Sequence, residues 1–185
     1  MPRQLWLLRH ADAEPHGTRE DSERRLTERG ERQARLAGEA IALMGVEFEA
    51  LLSSPKERAL RTATVAAQTW SDRSGIGGAR TEGLGQREQL EIHAPLAEGF
   101  DARQALAVMS AIPSRPRTAT GQAAPSARVL FVGHEPDLST VVAELTGAHI
   151  DLKKGGLAVV RMDGARGELI VLLRPSELAL IARVA

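Results

Sequence analysis

The sequence contains no cysteine, which excludes disulfides, thiolate metal sites and a cysteine nucleophile outright. It also has no excess of either charge. Over 185 residues, 24 lysines and arginines are matched by 24 aspartates and glutamates. A neutral chain has no overall field to draw it to nucleic acid or to an anionic membrane, so any basic cluster is a local device. No apolar run approaches the ~20 residues of a membrane span. The apolar stretch that follows Met1-Pro2-Arg3-Gln4 is too short for a secretory signal. The expectation is a cytoplasmic protein without membrane or nucleic-acid partners. The length fits one domain, residues 1–185, and a chain of this size buries about 70% of its unfolded surface without needing staples.

What is present is a regular alternation of elements. Gln4 to Leu8 is an almost unbroken apolar run, as expected of a strand covered on both faces. Ala11 to Arg25 is a polar loop, and Thr27 to Met44 is a helix with Thr27 as its cap and Gly45 after its end. Glu49 to Ser53 is a second strand. Ser54-Pro55-Lys56-Glu57 has the form of a capping box with proline at N1, starting a helix that runs to about Trp70. Ser71 to Gly78 follows as a glycine-rich loop, and Arg80 to Leu84 is a candidate extended segment. Asp101 caps a helix reaching Ile112, and Pro113 to Ala127, with three prolines and no apolar pattern, is expected as a mobile surface loop. Arg128 to Val132 is another buried-type strand, and Asp137 to Leu145 a helix closed by Gly147. Leu157 to Met162 and Glu168 to Leu173 form a β-hairpin, and one short helix falls within Pro175 to Val184. The fold class is α/β: a mostly parallel sheet with helices on both faces and a C-terminal hairpin.

Arg9-His10, Ser54-Pro55-Lys56-Glu57-Arg58 and Gly133-His134-Glu135 each follow a strand. In open α/β sheets, ligands bind beyond the carboxyl ends of the strands. Two guanidiniums, two imidazoles and the start of a helix at that edge describe an anion site. Arginine forks match phosphate oxygens, which makes phosphate the best fit. One imidazole there can attack phosphorus to give a phosphohistidine that water later cleaves. The other imidazole and the arginines would hold the equatorial oxygens. A nucleophilic histidine must be neutral at the attacking nitrogen, so its second nitrogen should donate to a backbone carbonyl.

These segments carry a family resemblance. Leu8-Arg9-His10-Ala11-Asp12-Ala13, Ser54-Pro55-x-x-Arg58-Ala59-x-x-Thr62-Ala63 and Val132-Gly133-His134-Glu135-Pro136 resemble the three motifs of the histidine phosphatase (phosphoglycerate mutase-like) superfamily. Their order and spacing agree over residues 4 to about 173. The short chain is most similar to the SixA-type phosphohistidine phosphatases. The resemblance implies a phosphoglycerate mutase-like fold, His10 as nucleophile, Arg9, Arg58 and His134 as the rest of the phosphate pocket with Glu135 beside them, and no cofactor. It also implies a phosphorylated protein, such as a histidine phosphotransfer domain, as the partner. The chain departs from the pattern at Ala11, where the family has glycine. Many members also use an acidic general acid between the second and third motifs. Glu82 and Glu88 fall in that region, but the SixA-type branch manages without one. Imidazole leaves readily once protonated, near pH ~6.5 for the free side chain.

Other readings stay open beside this one. The same pocket suits a small phosphorylated metabolite, or a module that binds phosphate without turnover. A mutase fits less well, because passing the phosphoryl group on requires shielding from water. The stretch between Arg58 and His134 is short and leaves no room for a large lid. His10, Asp12 and His134 form a conceivable metal site, although two arginines beside a dication would be unfavourable. No metal is therefore expected. Ser54 reads as a helix cap, Arg61 as a surface residue, Lys153-Lys154-Gly155-Gly156 as a solvated turn, and His16, His93 and His149 as structural.

Overall fold

The computed structural model describes residues 3–74, 90–112 and 127–183. The proposed strand Arg80–Leu84, the acids Glu82 and Glu88, and the loop 113–127 except for Ala127 lie outside them. Among the described residues, six strands form one sheet: β1 (Arg3–Arg9), β2 (Ala50–Ser53), β3 (Leu90–Ile92), β4 (Arg128–Gly133), β5 (Leu157–Asp163) and β6 (Arg166–Leu173). Their order across the sheet is β3-β2-β4-β1-β5-β6. β4 is parallel to both β1 and β2, and β2 is parallel to β3. β5 is antiparallel to both neighbours. The sheet is mostly parallel, with the expected hairpin at its end.

β1 shows why the fold needs helices on both faces. Leu5 and Leu7 point into a core layer with α3 (Ala102–Ala111) and α4 (Asp137–Thr146), through Ala105, Met109, Leu138, Val141, Val142 and Leu145. Trp6 and Leu8 point the other way, towards α1 (Glu28–Leu43), α2 (Glu57–Ser74) and α5 (Pro175–Ala182). All four side chains are buried, so the unbroken apolar run follows from a strand with no solvated face. None of these helices is long and apolar enough to cross a membrane, among the described residues.

The helix caps hold as read from the sequence. The Thr27 hydroxyl accepts from Gly30 N at the start of α1, Asp101 and Gln104 form a reciprocal capping box on α3, and Gly147 closes α4. The start of α2 departs from expectation. The helix begins at Glu57, and Lys56 O accepts the first helical hydrogen bonds, from Ala59 N and Leu60 N. Pro55 is thus outside the helix rather than at N1. Ser54 is no N-cap; its hydroxyl accepts from Lys56 N within the tight turn that leads out of β2. The helix also continues through Ser71–Ser74, where a loop was expected. The chain's motif spacing did not reveal β3. It is three residues long on the sheet edge, with Glu91 and Ile92 exposed, so it carries no burial pattern to read.

α1 and α2 pack closely through small residues, Gly38 among them. A Cβ there would lie 2.3 Å from Ala66 O, which backbone cannot yield without separating the helices. Gly38→Ala should therefore lower stability by about 1–3 kcal/mol despite alanine's better helix propensity. An unchanged denaturant midpoint would show that the two helices have slack.

Candidate active site

β4 lies between β1 and β2, so their carboxyl ends are neighbours. That adjacency brings Arg9-His10, Ser54-Arg58 and His134 together. His10 N donates to Gly133 O, and Ser54 N donates to Val132 O, which ties both segments to the end of β4. The His10 and His134 rings sit 5.1 Å apart, centroid to centroid, at 52°. His10, Arg58 and His134 are all buried, at 6%, 4% and 7% exposure.

The loop after His10 is held at each backbone donor. Ala11 N donates to Thr62 Oγ1 on α2, and that hydroxyl in turn donates to Arg58 O. Asp12 N donates to Gln33 Oε1 on α1, and Thr27 N donates to Asp12 O. Gly30 permits this contact, since a Cβ there would meet Asp12 O at 2.0 Å. Across the pocket, Gly155 N donates to the carbonyls of both Arg9 and His10 from a φ of +72°, a conformation that suits glycine. The Lys153–Gly156 turn is therefore part of the site's wall, not merely a solvated turn. No non-glycine residue among those described has positive φ, so Ala11 fits without the freedom of the glycine it replaces.

His10 Nδ1 lies 2.8 Å from Ala11 O. A carbonyl only accepts, so the proton is on Nδ1 and Nε2 keeps its lone pair. His134 Nε2 is 2.8 Å from Ser54 Oγ. Arg9 is anchored through Nη1 to Leu152 O at 2.8 Å. Arg58 donates from Nη1 to Asp21 O and from Nη2 to Asp21 Oδ2. Three buried side-chain nitrogens of this cluster, Arg9 Nε, Arg58 Nε and His134 Nδ1, have no hydrogen-bond partner in the protein. Buried polar groups are rarely left so, and three beside one another mark a binding site.

Asp21, in the loop between β1 and α1, is the residue that sequence reasoning missed. Its carboxylate accepts from Lys56 Nζ at 2.9 Å, from Arg24 Nη2 at 2.8 Å and from Arg58 Nη2 at 3.2 Å. The hydrogen bond from Lys56, with those from the two arginines, holds Asp21 well below the usual carboxylate range against its desolvation. No local spacing announces its contacts with Lys56 and Arg58, which stand 35 and 37 residues further along the chain. Glu135 is half-buried and accepts from Ser139 Oγ at 2.8 Å; burial raises its pKa against the pull of Ser139 and Arg9. Asp12 is taken by Thr27 Oγ1 at 2.9 Å and Lys154 Nζ at 3.2 Å. Among the described residues, no three His, Asp or Glu side chains are grouped to hold a metal ion. Arg61 pairs with Glu31 on the surface, and His16 and His149 are exposed. His93 packs edge-on against Phe100.

The histidine phosphatase superfamily (branch 1) family model matches residues 5–169, which include all three motif segments. The chain belongs to this superfamily, and it is a phosphatase of the SixA type. An uncharacterised protein of Picosynechococcus sp. is 30% identical over 183 residues, covering 93% of this chain and 96% of the relative. The solved structure of the protein histidine phosphatase SixA complexed with tungstate is 25% identical, with a TM-score of 0.71, over 95% of this chain and 99% of that one. The α-ribazole phosphatase of Shigella flexneri shares the fold at 20% identity and a TM-score of 0.59, over 93% and 96% of the two chains. A mycobacterial glucosyl-3-phosphoglycerate phosphatase shares it at 17% and 0.63, over 92% and 98%.

The electrostatics of this phosphatase site keep both imidazoles neutral. Burial lowers His10 to about 3; the hydrogen bond to Ala11 opposes the shift, and the charges of Arg58, Arg9 and Lys154 add to it. Burial likewise lowers His134 to about 3, helped by His10, Arg58 and Lys56 and opposed by Asp21. An unfolded imidazole takes up a proton below about pH 6.5, whereas these two stay neutral in the fold. Between those limits the unfolded chain binds more protons, so stability rises with pH and is lost on acidification. From pH 6.5 to 5, where carboxylates are still largely ionised, the protein should lose on the order of 3 kcal/mol more than a His10→Gln/His134→Gln variant. Parallel denaturation curves for the two proteins across that window would contradict the burial argument.

Proposed function

We propose that the protein removes the phosphoryl group from a phosphohistidine displayed on another protein, through a covalent intermediate on His10 and without a metal ion. The observation that carries this reading is the bond from His10 Nδ1 to Ala11 O, which leaves Nε2 unprotonated beside His134, Arg9 and Arg58. The Nε2 lone pair attacks phosphorus in line with the leaving group. The substrate imidazole, already protonated on its other ring nitrogen, departs with the bonding pair of the broken P–N bond and is neutral once released. Water then attacks the phosphoryl group on Nε2, the P–N bond breaks, and inorganic phosphate and neutral His10 result. Arg9, Arg58 and His134 supply donors to the three equatorial oxygens, where charge spreads in the transition state.

The likeness to the protein histidine phosphatase SixA, the highest TM-score among the structures compared above, supports a protein substrate. Two of those structures are phosphatases of α-ribazole and glucosyl-3-phosphoglycerate, which keeps a small phosphorylated metabolite as the second reading. A phosphohistidine substrate needs only a protonated imidazole leaving group, whereas an alkoxide needs an acid close to it. A panel of a phosphorylated histidine phosphotransfer domain and several sugar phosphates separates the readings. Turnover confined to the sugar phosphates would replace the first reading with the second.

Acid quench with labelled substrate should place the label on His10, and label on serine or aspartate would end the nucleophile assignment. Activity should persist in excess chelator and vanish in His10→Ala. Arg58→Ala should lower kcat/KM about 10²–10³-fold if its guanidinium meets developing charge, and a loss under about threefold would remove it from the mechanism.

A further inference from the structure

Ser54 is fully buried, and its hydroxyl has two neighbours: Lys56 N at 3.2 Å and His134 Nε2 at 2.8 Å. The first can only donate, so one oxygen lone pair is taken. A serine hydroxyl has a single proton to give. With the proton of His134 on Nε2, both neighbours would be donors to the same oxygen. The Ser54 proton would then have no acceptor, and His134 Nδ1 would be a buried acceptor with no donor. With the proton on Nδ1, Ser54 donates to Nε2 and every group around Ser54 is satisfied. The one donor left over is then Nδ1–H, on the ring that faces His10.

We infer that Ser54 is a positioning residue that holds His134 as its Nδ1–H tautomer, so that the second imidazole meets a bound oxyanion as a hydrogen-bond donor. The inference deepens the proposed function and rests on it for the identity of that oxyanion. The logic mirrors the other side of the pocket. There, Ala11 O fixes His10 with its proton on Nδ1, so Nε2 is the free atom and a nucleophile. Two chemically identical rings thus receive opposite roles from their partners: an acceptor beside one leaves it a lone pair, and a donor beside the other leaves it a proton. The arrangement also explains why Ser54 stands three residues ahead of α2 instead of capping it. Its hydroxyl serves the histidine and the turn, while the first helical bonds fall to Lys56 O.

The inference is tested without turnover. Nitrogen-15 spectra of histidine-labelled protein at neutral pH should show His134 with a protonated Nδ1 and an unprotonated Nε2. In Ser54→Ala the ring should lose this single tautomer, and orthovanadate should bind roughly tenfold more weakly. A wild-type His134 protonated on Nε2 would overturn the inference whether or not the variant folds. So would a Ser54→Ala protein with unchanged tautomer or unchanged vanadate affinity. Trapping of phosphate on His10 reads the nucleophile separately, so either result can fail while the other stands.

Discussion

Positive charge is concentrated at one end of this sheet, and carboxylates restrain it, Asp12 at Lys154 and Asp21 at three other cations. Arg24, Lys56 and Arg58 all reach Asp21, and the charges of Arg9 and Lys154 also act on His10. Cations this close repel one another, and Arg24 and Arg58 do so with little solvent to screen them. Asp21 offsets part of that repulsion and fixes the direction of the Arg58 guanidinium. What remains is a field that disfavours any further proton. The two imidazoles, already desolvated, respond by staying neutral. The same field favours an oxyanion, so the groups that make the pocket costly in isolation are those that make it selective.

Tight packing of small residues behind the pocket is what allows its backbone to be held. Gly30 lets α1 touch the loop after His10, and Gly38 lets α1 close on α2. Only at that spacing do Thr27, Gln33 and Thr62 reach the loop's donors and acceptors. The result is a nucleophile on a segment whose backbone is bonded to two helices and to the ends of β4 and β5. Positioning within fractions of an ångström is the condition for in-line attack, and here it is met by main-chain hydrogen bonds instead of by side-chain packing.

Several elements were legible in the residues. The apolar runs of β1 and β4 announce strands covered on both faces, Thr27 and Asp101 announce helix starts, and Asp163–Gly167 announces the hairpin. In each case the signal is local: a period, a cap or a turn residue. β3 was not legible, because a three-residue edge strand owes its existence to pairing with β2 and not to its own pattern. Ser54 was misread for a related reason. A serine ahead of proline and glutamate satisfies a capping rule, yet a histidine eighty residues away bonds to it.

The residues alone determined that two histidines and two arginines each follow a strand, and three motifs at that spacing were enough to name the superfamily. Their identities set the chemistry available, namely a nucleophilic nitrogen and forked donors for a phosphoryl group. Only the tertiary structure decided that β4 would lie between β1 and β2, which turns four scattered positions into one pocket. It alone supplied Asp21, Thr62 and Ser54 as the partners of Arg58, Ala11 N and His134. For His134 the group across from the ring nitrogen is a serine eighty residues away, a neighbour that folded space provides and the order of the chain does not.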